Sequence, residues 1–211
     1  MSYFVPFFLG FVIAFAGIML PGLINMTAAK VNLKEGIKHA LSFVFGALLI
    51  ITFQITLALF FARVINSRPD VVVLLREIGF GVFSVLTIYF LFIAKKPKIK
   101  KTKIKKKSLK KRFFLGMLLA ALNLFPVPYY VFTSIALASY HLISFELNSL
   151  LLFISGAVLG TFAGFYIYMV FMKRMGDKSD SLLKNMNLII GSITGLVSFL
   201  TLINIIEYYW N

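Results

Sequence analysis

The residues of this chain best suited to chemistry are polar groups and prolines set inside apolar runs. In "ALNLFPVPYYVF", residues 121–132, Asn123 precedes Pro126 and Pro128. Each proline lacks a backbone donor and frees a carbonyl one turn upstream. A second interruption, Pro21-Gly22 followed by Asn25, closes the first apolar run. Hydrocarbon offers such groups no partner, so they must be satisfied within the protein or line a watered cavity. Released carbonyls favour an ammonium group, and the amides of a half-helix N-terminus favour a carboxylate. Pro21, Gly22, Asn25, Asn123, Pro126 and Pro128 are therefore expected to cradle a small zwitterion. A simple kink is the alternative, since proline is commoner in membrane helices than in soluble ones.

Three further polar positions carry weight. Gln54 lies between Thr52 and Thr56 in the second apolar run. Its amide is expected either to join helices, for about 0.6–2 kcal/mol, or to contact the solute or a proton path. Arg76 and Glu77 interrupt the third run, and intramembrane ionisable residues are functional candidates by default. Glu77 is the expected proton carrier. The competing reading pairs it locally while Arg76 snorkels outward. His39 and His141 are isolated, without metal-ligand spacing, so no metal site is expected. No catalytic constellation of clustered His, Asp or Glu stands out, and no cofactor is expected.

These residues must be positioned by membrane helices. Of the 211 residues, 60% are hydrophobic, 16% aromatic and only 14% charged, far from the balance of a soluble domain. No cysteine is present, which excludes disulfide, thiol-redox and cysteine-ligated metal chemistry. Six apolar segments, 3–24, 40–62, 71–94, 113–140, 148–172 and 186–209, each approach the roughly 20 residues a spanning helix requires. The first lacks the basic start and small-residue cleavage site of a signal peptide.

Charge sets the orientation. Nineteen of the 22 basic residues fall in the first, third and fifth connections, 12 of them in "KKPKIKKTKIKKKSLKKR", residues 95–112. The positive-inside rule puts these connections in the cytoplasm and both termini outside. The net charge of +15 thus belongs to orientation and to anionic lipid headgroups at loop 95–112, and no nucleic-acid partner is expected. The fold expected is an all-α polytopic membrane protein with six transmembrane helices. Its halves, 1–94 and 113–211, flank the basic cytoplasmic loop 95–112 and have opposite orientation, which makes a 3+3 inverted repeat. Little residue-level self-similarity is visible, so the repeat rests on topology and on proline breaks at matching places. The spaced glycines 156, 160 and 164, with 191 and 195, read as close helix packing, a homodimer contact being the alternative.

The stretch "LPGLINMTAAKVNLKEGIKHALSFVFGAL" resembles the opening of LysE/RhtB-type amino-acid exporters, the lysine exporter family. Pro21-Gly22, Lys30, Gly36 and Gly46 match that family's layout, and the six helices, basic central loop and broken fourth helix extend the likeness over the whole chain. Where the family usually carries Pro-Gly-Pro-Asn and Asn-Pro-Lys, this chain reads Pro21-Gly22-Leu23-Ile24-Asn25 and Asn123-Leu124-Phe125-Pro126. The resemblance implies a secondary transporter of the bacterial inner membrane that exports amino acids or similar zwitterions on the proton gradient. No ATP-binding P-loop is seen. The alternatives are a divalent-cation exporter of a related six-helix type, which needs more intramembrane carboxylates than Glu77; an intramembrane enzyme; and a non-transporting scaffold or channel.

Overall fold

Apolar chain in hydrocarbon must satisfy its backbone internally, which leaves the helix as the local solution. The computed structural model describes residues 4–19, 22–66, 69–94, 107–175 and 185–210. Pro21 and loop residues 95–106 lie outside the described residues. Among the described residues there is no strand. The helices are α1 (Phe4–Met19), α2 (Leu23–Glu35), α3 (Ile37–Asn66), α4 (Pro69–Ile88), α5 (Leu109–Leu122), α6 (Pro126–Ser139), α7 (Leu147–Met175) and α8 (Met186–Trp210). A π-helical turn, Tyr89–Ile93, continues α4.

Local chemistry marks the ends. Gly36 closes α2 at φ +91°, a left-handed value that suits glycine, and its N–H donates to the Asn32 carbonyl at 3.1 Å. Ser108 caps α5, its hydroxyl accepting from the Lys111 N–H at 3.4 Å.

Among the described residues two helices, Ile37–Asn66 and Leu147–Met172, are long and apolar enough to cross a membrane. The pairs α1–α2 and α5–α6, bent by 74° and 61°, each pass the same test as one broken span, giving up to four. Glu77–Ile93 and Thr194–Glu207 are shorter apolar stretches.

One expectation is corrected by α2. The apolar pattern leaves Lys30, Lys34 and Lys38 in the first connection, 25–39, yet residues 23–35 form a helix with a buried stripe and Lys38 lies in the first turn of α3. Ile24, Ala28, Val31 and Glu35 are buried along with Asn25, Ala29 and Asn32, at i, i+3, i+4, i+7 spacing. Asparagine and glutamate on that stripe lower its apparent hydropathy, which hides the periodicity.

The chain divides into two units. The first holds α1, α2, α3, α5, α6 and α7. In it α1 runs parallel to α7, and α3 parallel to α5, each pair meeting at glycine. A Cβ on Gly10 would strike the Phe153 carbonyl, and one on Gly156 the Phe7 carbonyl. Likewise a Cβ on Gly46 would strike the Phe113 carbonyl, and one on Gly116 the Phe43 carbonyl. The sequences at these contacts repeat. "FFLG" occurs at 7–10 and at 113–116, while "FVFGA" at 43–47 matches "FISGA" at 153–157. Self-similarity is thus present where the helices touch, in pieces too short to stand out along the chain. Phe43, Ala47, Phe153 and Ala157 are fully buried there, whereas Phe45, Phe53 and Phe60 of α3 face outward. Glycine and alanine at the crossings let the backbones approach, with large apolar side chains facing outward, as in helices packed in lipid.

The second unit holds α4, the π turn and α8, two antiparallel helices joined by polar contacts. Ser84 and Ser198 share a hydrogen bond of 2.8 Å, the Thr87 hydroxyl donates to that of Thr194 at 3.0 Å, and the Asn187 amide donates to the Ala94 carbonyl at 2.9 Å. Gly191 meets Leu91 and Gly195 meets Thr87. Gly156 and Gly160 are covered by α1, so the spaced glycines pack within each unit.

Gly116→Leu is expected to lower the thermal midpoint of the detergent-purified protein, by about 1–3 kcal/mol of stability. Gly81, with nothing within 4 Å of an added Cβ, provides the control: Gly81→Ala should leave the midpoint unchanged or raise it.

Candidate functional site

The first unit carries two places where a helix stops inside the apolar bundle. At the α5–α6 break, Asn123 takes an extended backbone, φ −89° and ψ 90°. Its N–H turns back to the Ala120 carbonyl at 3.1 Å. Helix α6 restarts at Pro126. Val127 and Tyr129 donate their N–H groups to the Leu124 and Phe125 carbonyls, both at 3.2 Å. Asn123 and Pro126 are half-buried, and Pro128 is exposed.

The last carbonyls of any helix lack intrahelical donors. Here a neighbouring helix supplies them. Gln54, on α3 and 5% exposed, donates Nε2 to the Ala120 carbonyl at 3.1 Å and to the Asn123 carbonyl at 3.0 Å. The structure therefore brings together two residues the sequence singled out 69 positions apart. Gln54 Oε1 is buried and without a partner among the described residues.

The α1–α2 break is handled in the same way. Gly22 is extended, at φ −132° and ψ 171°, and its carbonyl accepts from Met26 N–H at 3.0 Å. Asn25, 5% exposed, donates its side-chain amide to the Ile18 carbonyl in the last turn of α1. Gly22 is half-buried. Pro21 lies outside the described residues.

Tyr129 links the α5–α6 break to α1. It sits in the first turn of α6, and its hydroxyl donates to the Ile13 carbonyl of α1 at 3.0 Å. Its ring lies 3.4 Å from where a Cβ on Gly17 would stand. It stacks on Phe125, with centroids 5.8 Å apart, and meets Tyr130 edge-on. Tyr130 in turn packs edge-on against Phe153 of α7. The aromatic pair Tyr129-Tyr130 thus packs the start of α6 against α1 and α7.

Glu77 belongs to the second unit. It is exposed, and Tyr209 donates its hydroxyl to Glu77 Oε1 at 2.6 Å. The side chain of Arg76 lies outside the described residues.

Sequence reasoning missed a buried ion pair. Glu35, the last residue of α2, faces Arg112 of α5 with both carboxylate oxygens engaged: Arg112 Nε donates to Oε2 at 2.8 Å and Nη2 donates to Oε1. Both residues are buried. A two-pronged guanidinium–carboxylate geometry is the strong form of this interaction. Arg112 is hidden in the sequence because it ends a run of 12 basic residues, and Glu35 because it sits among lysines. The available signal was helical spacing from Ile24 to Glu35. Further along α2, the Asn32 amide donates to the Met169 carbonyl of α7 at 3.3 Å, and Ala29 packs on Tyr168 and Met172. The polar helix α2 is thereby fastened to both α5 and α7.

The arrangement offers amides, carbonyls and aromatic faces, groups able to hold a polar solute. Among the described residues no group of three or more His, Cys, Asp or Glu is placed to hold a metal ion. The sequence model of the LysE type translocator family matches residues 15–204, a stretch that includes both breaks, Gln54 and the Glu35–Arg112 pair. Comparison with curated proteins and with solved structures gives no match.

Arg112→Ala should destabilise the protein by about 3–5 kcal/mol, because it strands the Glu35 carboxylate in a buried site. The charge-reversed pair Glu35→Arg with Arg112→Glu should recover part of that loss. Melting of the two single variants and the double variant reads the coupling directly, and additive losses would show that the pair does not act as a unit.

Proposed function

We propose a small-solute export function for this chain, which belongs to the LysE type translocator family. It is an integral membrane protein of a transporter family. The solute proposed is an amino acid or a similar small zwitterion, and the coupling proposed is to the proton gradient.

The observation that carries this reading is the meeting of two interrupted helices in one unit. Tyr129 of the α5–α6 break bonds to α1 one and a half turns before α1 ends. Side-chain amides cover carbonyls at both ends. Discontinuous helices are how secondary transporters present backbone dipoles to a polar solute near the bilayer midplane.

An inverted 3+3 repeat, with six spans, both termini outside and an alternating rocking motion, belongs to the same proposal. The reciprocal crossings support it: "FFLG" of α1 meets α7 as "FFLG" of α5 meets α3. Each unit also draws its helices from both halves, 1–94 and 113–211. The proposed location is a bacterial inner membrane, with anionic headgroups at loop 95–112. Divalent-cation export is the alternative outcome. In the proton-coupled scheme Glu77 carries the proton.

Reconstitution tests the proposal. Wild type and Asn123→Ala are placed in proteoliposomes, a pH gradient is imposed, and labelled amino acids are screened. Gradient-dependent flux in the wild type, lowered at least about tenfold in the variant, is expected. Failure of every amino acid to move through folded protein would reject amino-acid export. In the same vesicles, Glu77→Gln should abolish gradient-driven flux and leave solute exchange intact. Unchanged driven flux would remove Glu77 from the scheme.

A further inference from the structure

We infer that the α5–α6 break holds an acceptor site, in which Gln54 Oε1 and the carbonyls ending α5 receive the ammonium group of the solute. The inference rests on the transport reading above and names which end of the solute this break reads.

The donors and acceptors at the break can be followed one by one. Both hydrogens of the Gln54 amide are spent, on Ala120 and Asn123. The amide cannot be turned over, because its oxygen would then face two carbonyl oxygens. That leaves Oε1, a strong acceptor that is buried and unpartnered among the described residues. Native proteins leave few such groups unsatisfied, and each one calls for an explanation.

The restarted helix supplies no answer from its own amides. A helix N-terminus usually offers several free N–H groups, and this is what makes it an anion site. Helix α6 has lost that property. Pro126 and Pro128 carry no N–H, and those of Val127 and Tyr129 are already committed to Leu124 and Phe125. On the α5 side, the Leu122 carbonyl would normally accept from residue 126, which is proline. Gln54 and the end of α5 therefore present carbonyls, the negative end of the α5 dipole and one amide oxygen; the other donors at the break, the Asn123 side-chain amide and the N–H groups of Leu124 and Phe125, belong to the connecting residues. A carboxylate would be repelled. A primary ammonium, with three hydrogens and a positive charge, matches this set. The expectation that the two breaks together cradle a zwitterion is thus made specific: this break takes the cationic end.

Thermal melting of the detergent-purified protein tests the inference without requiring transport. The probes are propylammonium chloride, sodium propionate and sodium chloride at equal ionic strength. Propylammonium should raise the wild-type midpoint, while propionate and sodium chloride should not. Gln54→Met, which keeps the length and removes the amide, should weaken the apparent propylammonium affinity about tenfold or more. Gln54→Lys places an ammonium group in the pocket and gives the α5 carbonyls a donor. It should melt normally and ignore propylammonium, so it serves if Gln54→Met does not fold.

A propionate response equal to that of the amine would overturn the inference. So would a response to sodium chloride alone, a Gln54→Lys protein that still responds, or a cooperative wild-type melt that no amine shifts. Flux keeps the two readings apart. Transport with no ammonium preference ends the pocket assignment alone, and amine binding without transport ends the export reading.

Discussion

A helix that stops inside hydrocarbon leaves carbonyls and amides that lipid cannot satisfy. Everything distinctive in this chain follows from how it meets that constraint twice. In each case a side-chain amide reaches the carbonyls of the interrupted helix: Asn25 at the end of α1 and Gln54 at the end of α5. Two prolines then remove donors from the start of α6. One acceptor, Gln54 Oε1, stays buried and without a partner among the described residues. A mere kink in a packing helix would be expected to satisfy itself with local bonds. Here the α5 carbonyls draw instead on an amide from another helix.

The surrounding packing keeps the breaks in place. Parallel helices cross at glycines where backbone touches backbone, so α1 on α7 and α5 on α3 have little freedom to shift. The polar helix α2 is pinned at its far end by Glu35 on Arg112 and along its length by Asn32 on Met169. A buried ion pair is weak support for stability as such, because desolvation offsets the attraction. It does specify geometry, for the two charges tolerate no other arrangement while buried.

Part of this was legible from the residues. Proline and asparagine inside apolar runs marked both breaks, because no other residue types free backbone groups so reliably. Gln54 stood out as the isolated amide of its segment, and its role between helices follows from that isolation. Other features were hidden for physical reasons. The buried stripe of α2 carries Asn25, Asn32 and Glu35, so an average over its residues reads as a polar loop. Arg112 lies in a charge run whose other members set orientation. The repeated "FFLG" contacts occupy a few residues per helix, and only the crossings show that they are equivalent. Which end of a solute a break would read depends on donors already spent, and sequence spacing carries no record of that.

The central claim is that the interruption around Asn123 lines an aqueous, solute-accessible cavity. The chain has no cysteine, so a single Asn123→Cys variant reports on that position alone. It would be reacted in sealed vesicles of both orientations with a membrane-impermeant maleimide, with and without an ammonium-bearing solute. Labelling from the aqueous phase that the solute slows is the predicted result. A folded variant whose introduced thiol resists the reagent from both sides, or reacts with no protection by any such solute, would contradict the account and leave the break as a structural kink.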